Sequence, residues 1–191
     1  GVWMVPTRTG TLLPSVLKDP AEGGTDALVL TPDVISSISS VSLDASLDPP
    51  TWRWRIGWQH NFTVQTSGSN LHPQASADRQ SLIAESDRTS VWLDTAVKSA
   101  WRVPNDPSLI TTALASQTDA KAVANLHGAL GGQRRHLWAV EVPQSVAILL
   151  DLGDPVRLQA PVPGAAGGVS GLVVGEHITS ASNTTTLTIL V

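Results

Sequence analysis

The chain has 191 residues, with 12 basic against 16 acidic side chains, no cysteine, and seven tryptophans to a single phenylalanine. A net charge of −4 speaks against a nucleic-acid surface or an anionic-membrane partner, and the lack of cysteine removes disulfides and thiolate metal sites. No run approaches the roughly 20 continuous apolar residues of a membrane-spanning helix, and Gly1 to Thr11 lacks the basic-then-apolar order of a signal peptide.

In chain order, Val2 to Pro6 reads as a strand, Thr7 to Gly10 as a turn, and Thr11 to Leu17 as the return strand. Asp19 to Thr25 has no periodicity and is a loop. Ala27 to Leu30 is a short strand broken at Pro32-Asp33, after which Val34, Ile35 and Ile38 suggest a helical turn. From Ser39, Val41, Leu43, Ala45 and Leu47 alternate with polar residues as a half-buried strand that ends at Asp48-Pro-Pro50.

Thr51 to Gln65 is the most strongly patterned stretch. Trp52, Trp54, Ile56, Trp58, His60, Phe62 and Val64 share one parity, while Arg53, Arg55, Gly57, Gln59 and Asn61 share the other. A period of two over that length predicts a strand with one buried, aromatic face. Ser67 to Asn70 is a loop, and Ser76 caps a helix running to about Arg88. Thr89 to Leu93 returns to strand. Ala96 to Pro107 has no clear pattern, and Ser108 to Ala115 is compatible with strand or helix.

A second helix starts at Ser116 or Thr118 and presents Val123, Leu126 and Leu130 on one face, with Gly131-Gly132 beyond its end. Trp138, Val140 and Val142 alternate as a strand up to Pro143. Leu150, Leu152, Val156 and Leu158 share a parity around Asp151-Leu-Gly-Asp154, which reads as a strand with an irregularity. Pro161 to Gly168 is a flexible connection, Gly171 to Ile178 a strand, Ser180 to Asn183 a turn, and Thr184 to Val191 the last strand. Many short strands with two short helices inserted between them give a β-rich α+β class, built from small β-barrel-like modules. Residues 1–191 read as a single unit with a possible subdivision near 94–107, and an opening at Gly1 without methionine suggests a piece of a longer chain.

For chemistry, the stripe Trp52, Trp54, Trp58 has three readings: a buried core face, a platform stacking sugar rings, or a subunit contact. His60, His72, His127, His136 and His177 are dispersed without metal-ligand spacing. Gly168-Val-Ser-Gly171 lacks the spacing of a nucleophile elbow, and no Lys-Ser/Thr follows the Gly164 to Gly171 loop as in a phosphate cradle. Asp151 and Asp154 suit a turn better than a calcium loop. Asn61-Phe-Thr63 and Asn183-Thr-Thr185 match glycosylation acceptors with no secretory signal beside them. No catalytic constellation, cofactor site or metal site emerges.

Several segments together resemble a known family. Leu150-Asp-Leu-Gly-Asp-Pro-Val-Arg-Leu158, Gly171-Leu-Val-Val-Gly175 and Asn183-Thr-Thr-Thr-Leu-Thr-Ile189 are similar to the C-terminal end of tail-tip or baseplate-hub proteins of long-tailed bacteriophages and prophage-like elements. The Trp52 to Gln65 stretch and the Gly1 to Gly10 opening are similar to earlier segments of the same family, in the same order. His60 stands where the family often has Arg, and Pro155 replaces a common Val. The resemblance implies a non-enzymatic virion protein that forms a homo-oligomer, a trimer in the family, with other tail proteins as partners. It implies assembly in the bacterial host cytoplasm, a place at the tail tip supporting host attachment, and a role as the C-terminal part of a longer hub chain. It implies no catalytic residue and no cofactor.

Overall fold

The computed structural model of the protein describes residues 2–45, 47–65, 72, 74–179 and 182–191. Two compact units divide the chain: Gly1–Ala45 together with Arg134–Val191, and Ser46–Gln133. The second unit is therefore an insertion in the sequence of the first, and residues 94–107 lie inside it. Two of the expected loops, Ser67 to Asn70 and the Ser180-Ala181 part of the last turn, fall outside the described residues.

The first unit contains a two-stranded hairpin, β1 (Val2–Pro6) with β2 (Leu12–Val16), and a 3-10 turn at Pro20–Glu22. Its sheet is built from β3 (Leu28–Leu30) and β4 (Ser37–Val41) before the insertion. After the insertion come β8 (Leu137–Pro143), α4 (Gln144–Ala147), β9 (Pro155–Leu158), β10 (Val169–Thr179) and β11 (Thr184–Leu190). The strand order is β3-β9-β10-β11-β8-β4, antiparallel except for the β3–β9 pair.

The alternation in β8 and β11 is what one buried face demands. Trp138, Val140 and Val142 stand directly across from Ile189, Leu187 and Thr185, and all six are buried. Leu30, Leu150, Val156, Leu158 and Val173 complete that core. Gly171 permits the close approach of β10 to β11, because a Cβ there would lie 2.6 Å from Ile189 Cγ2. A charged pair is enclosed in this unit: Arg135 Nη2 lies 3.0 Å from Asp19 Oδ2, with side chains 5% and 6% exposed.

Among the described residues the sheet is open, since β3 pairs with β9 and β4 with β8 and the two edges do not meet. The expected barrel closure is not found. The α+β, β-rich class stands, with two further helices that the sequence left unread, α2 (Thr95–Ala100) and α4.

Three boundaries differ from expectation for physical reasons. β4 runs 37–41, not 39–47, because its ladder to β8 ends at Val41 opposite Leu137, where β8 begins; beyond it the Leu43 to Leu47 alternation has no strand to pair with. The helical turn expected of Val34, Ile35 and Ile38 takes in only the first two, whose N–H groups donate to the Thr31 carbonyl at 3.0 and 3.2 Å, and Ile38 lies in β4. The strand read around Leu150 to Leu158 begins only at Pro155, and Asp151 to Asp154 is the turn that its aspartates suggested, with Gly153 at φ 91° and Asp154 Oδ2 accepting the Asp151 N–H at 2.8 Å.

The second unit contains β5 (Arg53–Trp58), α1 (Ala77–Ala84), β6 (Arg88–Leu93), α2, β7 (Ile110–Thr111) and α3 (Gln117–Gly131). Its sheet has the order β6-β5-β7, with β7 parallel to β5. One face of this sheet packs on α3, through Ile56 and Trp58 against Ala120 and Ala124. Ser76 and Ser116 cap α1 and α3 as expected, their hydroxyls accepting the N–H of Arg79 and Asp119.

The buried face of α3 is not the expected Val123, Leu126, Leu130 stripe. Its fully buried row is Ala120, Ala124, Gly128 and Gly131, small residues that let large rings lie against the helix, while of the expected residues Val123 is partly buried and packs against that core. A Cβ on Gly128 would meet Trp92 Cε2 at 2.2 Å, and one on Gly131 would meet Trp54 Cζ2 at 3.3 Å. Gly128→Ala therefore sets two effects against each other. Helix propensity favours alanine by about 1 kcal/mol, whereas forcing Trp92 out of its seat costs about 1–3 kcal/mol or more. Sterics is expected to win, and a denaturant titration of the variant should show a net loss of stability with red-shifted tryptophan emission.

Candidate functional site

The tryptophan stretch forms a strand only from Arg53 to Trp58. Gln59 turns the chain at φ 51°, and the expected pairing to Gln65 is replaced by a loop. Trp54 and Trp58 are 6% and 8% exposed, so two of the three rings face the interior. Trp52 is half-buried, with Lys98 Nζ 4.2 Å and the Arg53 guanidinium 4.6 Å from its ring centroid. An open sugar platform would need several uncovered ring faces; Trp52, Trp54 and Trp58 do not provide them.

The opposite face of β5 carries the polar cluster. Arg53 holds Asp106 through both arms of its fork, Nε to Oδ1 at 3.1 Å and Nη2 to Oδ2 at 2.6 Å. Arg55 Nη2 adds Asp106 Oδ1 at 3.2 Å and the Pro107 carbonyl at 2.7 Å. By register, Leu93 stands opposite Arg53 and Val91 opposite Arg55, and both are about half exposed. α3 covers the other side of this sheet, so Arg53, Arg55, Val91 and Leu93 share the face away from the helix, and arginine is among the residues enriched at protein interfaces.

The hydrogen bonds from Arg53, followed by the nearby charges of Arg53, Arg55 and Lys98, hold the Asp106 carboxyl below its ordinary 3.8. Because the folded value is depressed, the contribution is complete above that range and is lost as pH falls through the folded value. Asp106→Asn should flatten the acid limb of a stability-against-pH curve below about pH 4 and leave neutral pH less stable than wild type.

In the first unit the β1–β2 hairpin turns an apolar side outward. Met4 and Leu12 are 57% and 63% exposed, on one face with Pro6 and Pro14. Its inner face carries Val5, buried, and Leu13 at its rim. Arg8 in the turn ties the hairpin down: Nε donates to the Leu150 carbonyl at 3.0 Å, and Nη2 to the Ala147 carbonyl at 2.9 Å and Glu176 Oε1 at 2.7 Å. Between hairpin and the Gly153 turn lies a cleft of about 230 Å³ lined in part by Val5, Leu13, Pro14, Leu152, Asp151 and Asp154. Arg8→Ala should release this arm locally, read as faster amide exchange over 2–16 with the β8–β11 amides unchanged.

The remaining sequence candidates resolve into structure. His60 Nδ1 lies 2.9 Å from Asp87 Oδ1, while His127 stacks on Trp54 with centroids 4.8 Å apart. Among the described residues no group of three or more His, Asp or Glu side chains is gathered as a metal ion would require. Asn61 Nδ2 donates to the carbonyls of Leu82 and Ile83 at the end of α1, so the Asn61-Phe-Thr63 amide is committed to the fold. The Pro161 to Gly168 connection is a set of tight turns with Ala165 in the core, and Arg157 donates to the Gly168 carbonyl; carbonyls, not a nest of N–H groups, face that cation. Ser170 lies within β10.

The sequence reading missed Arg8, Asp106 and the exposed face of the hairpin. It placed Phe62 on a buried face by parity, and Phe62 is 91% exposed. No local pattern marks Arg8, whose partners are about 140 and 168 residues away.

No protein-family model matches the sequence, and no curated protein matches it. Among solved structures, the chain is similar to the prophage MuSo2 43 kDa tail protein from Shewanella oneidensis, with a TM-score of 0.50 and 11% identity. The match covers 98% of this chain and 50% of that one, so the chain spans about half of that protein's length. At this identity the likeness is one of fold.

Proposed function

We propose that this chain is a structural, non-enzymatic part of a phage or prophage-like tail, and within the tail a piece of the tip or baseplate hub. It would assemble with itself and with other tail proteins to close the tube and support host attachment. The observation that carries this reading is the likeness of fold to a tail protein over 98% of the chain, which takes in both compact units. The hub assignment rests on the ordered resemblance of the Trp52 to Gln65, Leu150 to Leu158 and Asn183 to Ile189 segments to hub proteins. That ending also supports placing 191 residues at the C-terminal side of a longer hub chain, with a trimer as the expected assembly.

The exposed surfaces suit such a role. A hairpin with Met4 and Leu12 in solvent, and a sheet face combining Val91 and Leu93 with two arginines, offer apolar area with polar anchors. The test is quantitative mass spectrometry of gradient-purified particles from the source strain. A fixed low copy number relative to the tube protein is the expected result; a chain that stays in the soluble fraction while particles form would overturn the reading.

A further inference from the structure

In the sheet order β6-β5-β7, strand β6 lies at one edge and is joined to β5 alone. On its far side β5 gives the Gly57 carbonyl to the Thr112 N–H, so its odd-numbered residues bond toward β7 and its even-numbered ones toward β6. The Asp94 N–H accordingly meets the Trp52 carbonyl at 2.8 Å, and Arg88, Ser90 and Trp92 share its parity. Thr89, Val91 and Leu93 turn their backbone N–H and C=O groups the other way. Among the described residues nothing supplies or accepts those bonds.

Native sheets blunt such edges with very short strands, proline, lysine or a bulge. β3 and β7 follow that rule, with three and two residues. β6 does not: it runs six residues in unbroken register with β5, is uncharged from Thr89 to Leu93 and contains no proline. A strand is what this edge accepts, and β6 itself fits it. With Val91 set opposite Val91 of a second copy, an antiparallel register brings Thr89 opposite Leu93 and Leu93 opposite Thr89. All three outward residues then fall in pairs that exchange both backbone bonds. The same register sets Arg88 opposite Asp94 of the second copy, so opposite charges meet at each end. Both side chains keep atoms for that contact, since Arg88 holds Asp78 through Nη2 alone and Asp94 caps α2 through Oδ1 alone. Moving the centre to Ser90 or Trp92 leaves one outward residue beyond the end of the facing strand and takes Arg88 away from Asp94.

We infer that β6 of one copy of this chain pairs antiparallel with β6 of a second copy about a two-fold axis at Val91, joining the two sheets in the order β7-β5-β6-β6-β5-β7. Val91 and Leu93, 49% and 53% exposed, then pack across the axis on the face away from α3. The contact is isologous and closes on two copies. It goes beyond the tail role proposed above and is a different contact from any that builds the trimer expected there. One strand edge buries less than the about 1,200 Å² of a standard interface, so the pairing is reversible and follows concentration.

The test combines sedimentation velocity and backbone amide exchange on the wild-type 191-residue chain, from about 10 μM to about 1 mM. Dimers should accumulate over that range. The Thr89, Val91 and Leu93 amides should slow with them, while those of Ser90, Trp92 and Asp94, already bonded to β5, change less. Val91→Lys and Val91→Glu each set like charges face to face across the axis, and each alone should sediment as a monomer. Mixed, the two should pair one to one, because every lysine then faces a glutamate. The side chain at 91 is half exposed, so both variants should keep the fold. A wild type that stays monomeric, dimers whose Thr89, Val91 and Leu93 amides exchange as fast as in the monomer, or two folded variants that fail to pair with each other would each overturn the contact. Those results leave the tail role to the particle measurement, which fails separately if the chain is missing from particles.

Discussion

Arg135→Ala is expected to cost about 3–5 kcal/mol, the largest fraction of the stability of a domain of this size that any single charged residue here should carry. The guanidinium lies 3.0 Å from Asp19 Oδ2, both side chains about 95% removed from solvent. Asp19 Oδ1 also accepts the Ala21 N–H at 2.9 Å, capping the 3-10 turn. Truncating Arg135 leaves a carboxylate enclosed without its counter-charge, and the desolvation penalty of that ion, not the lost attraction, sets the cost. Asp19→Asn with Arg135→Met should recover much of the loss, since replacing both partners removes the stranded charge. Chemical denaturation of the two single variants and the double gives the coupling directly. Additive losses would mean that the pair is not the stabilising unit described here.

Trp54→Ala should cost about 3–5 kcal/mol, as large-to-small changes at buried aromatic sites do. The ring is 6% exposed, lies against Gly131, and stacks on His127. Trp52→Ala should cost clearly less, because that ring is half-buried and covered by two cations rather than by the core. The comparison separates a core strand from a sugar platform, for which the two substitutions would damage binding and spare folding. A pH effect accompanies it. Burial holds the His127 pKa below its ordinary 6.5, so the unfolded chain takes up a proton before the folded one does. Stability is thus complete above 6.5 and declines as pH falls through the lower folded value. Opening the site by Trp54→Ala should make that decline shallower.

Period-two patterning was legible wherever a strand had a neighbour along its whole length. Trp138, Val140 and Val142 face Ile189, Leu187 and Thr185, so hydrophobic alternation and hydrogen-bonded register agree there. It misled where the neighbour stopped. Leu43 and Leu47 alternate correctly but lie beyond the start of β8, and Phe62 continues the parity of Trp58 past the point where Gln59 turns the chain. Serine caps on α1 and α3 could be read because their partners are three residues away. Arg8, Arg135 and Asp106 could not, because their partners are brought up by the fold from distant parts of the chain. The glycines at the end of α3 were read as a stop signal. That reading holds, since α3 ends at Gly131 and Gly132 caps it with its N–H on the Gly128 carbonyl; what it missed is that these glycines also leave room for Trp92 and Trp54, which depends on a sheet that local sequence does not specify.

The tail role is tested most directly by immunogold electron microscopy of intact particles, with an antibody raised against the second unit, residues 46–133. Gold confined to the distal end of the tail is the result this account predicts. Labelling of the head, labelling along the whole tube, or particles without label while the chain is present in the same cells would contradict it.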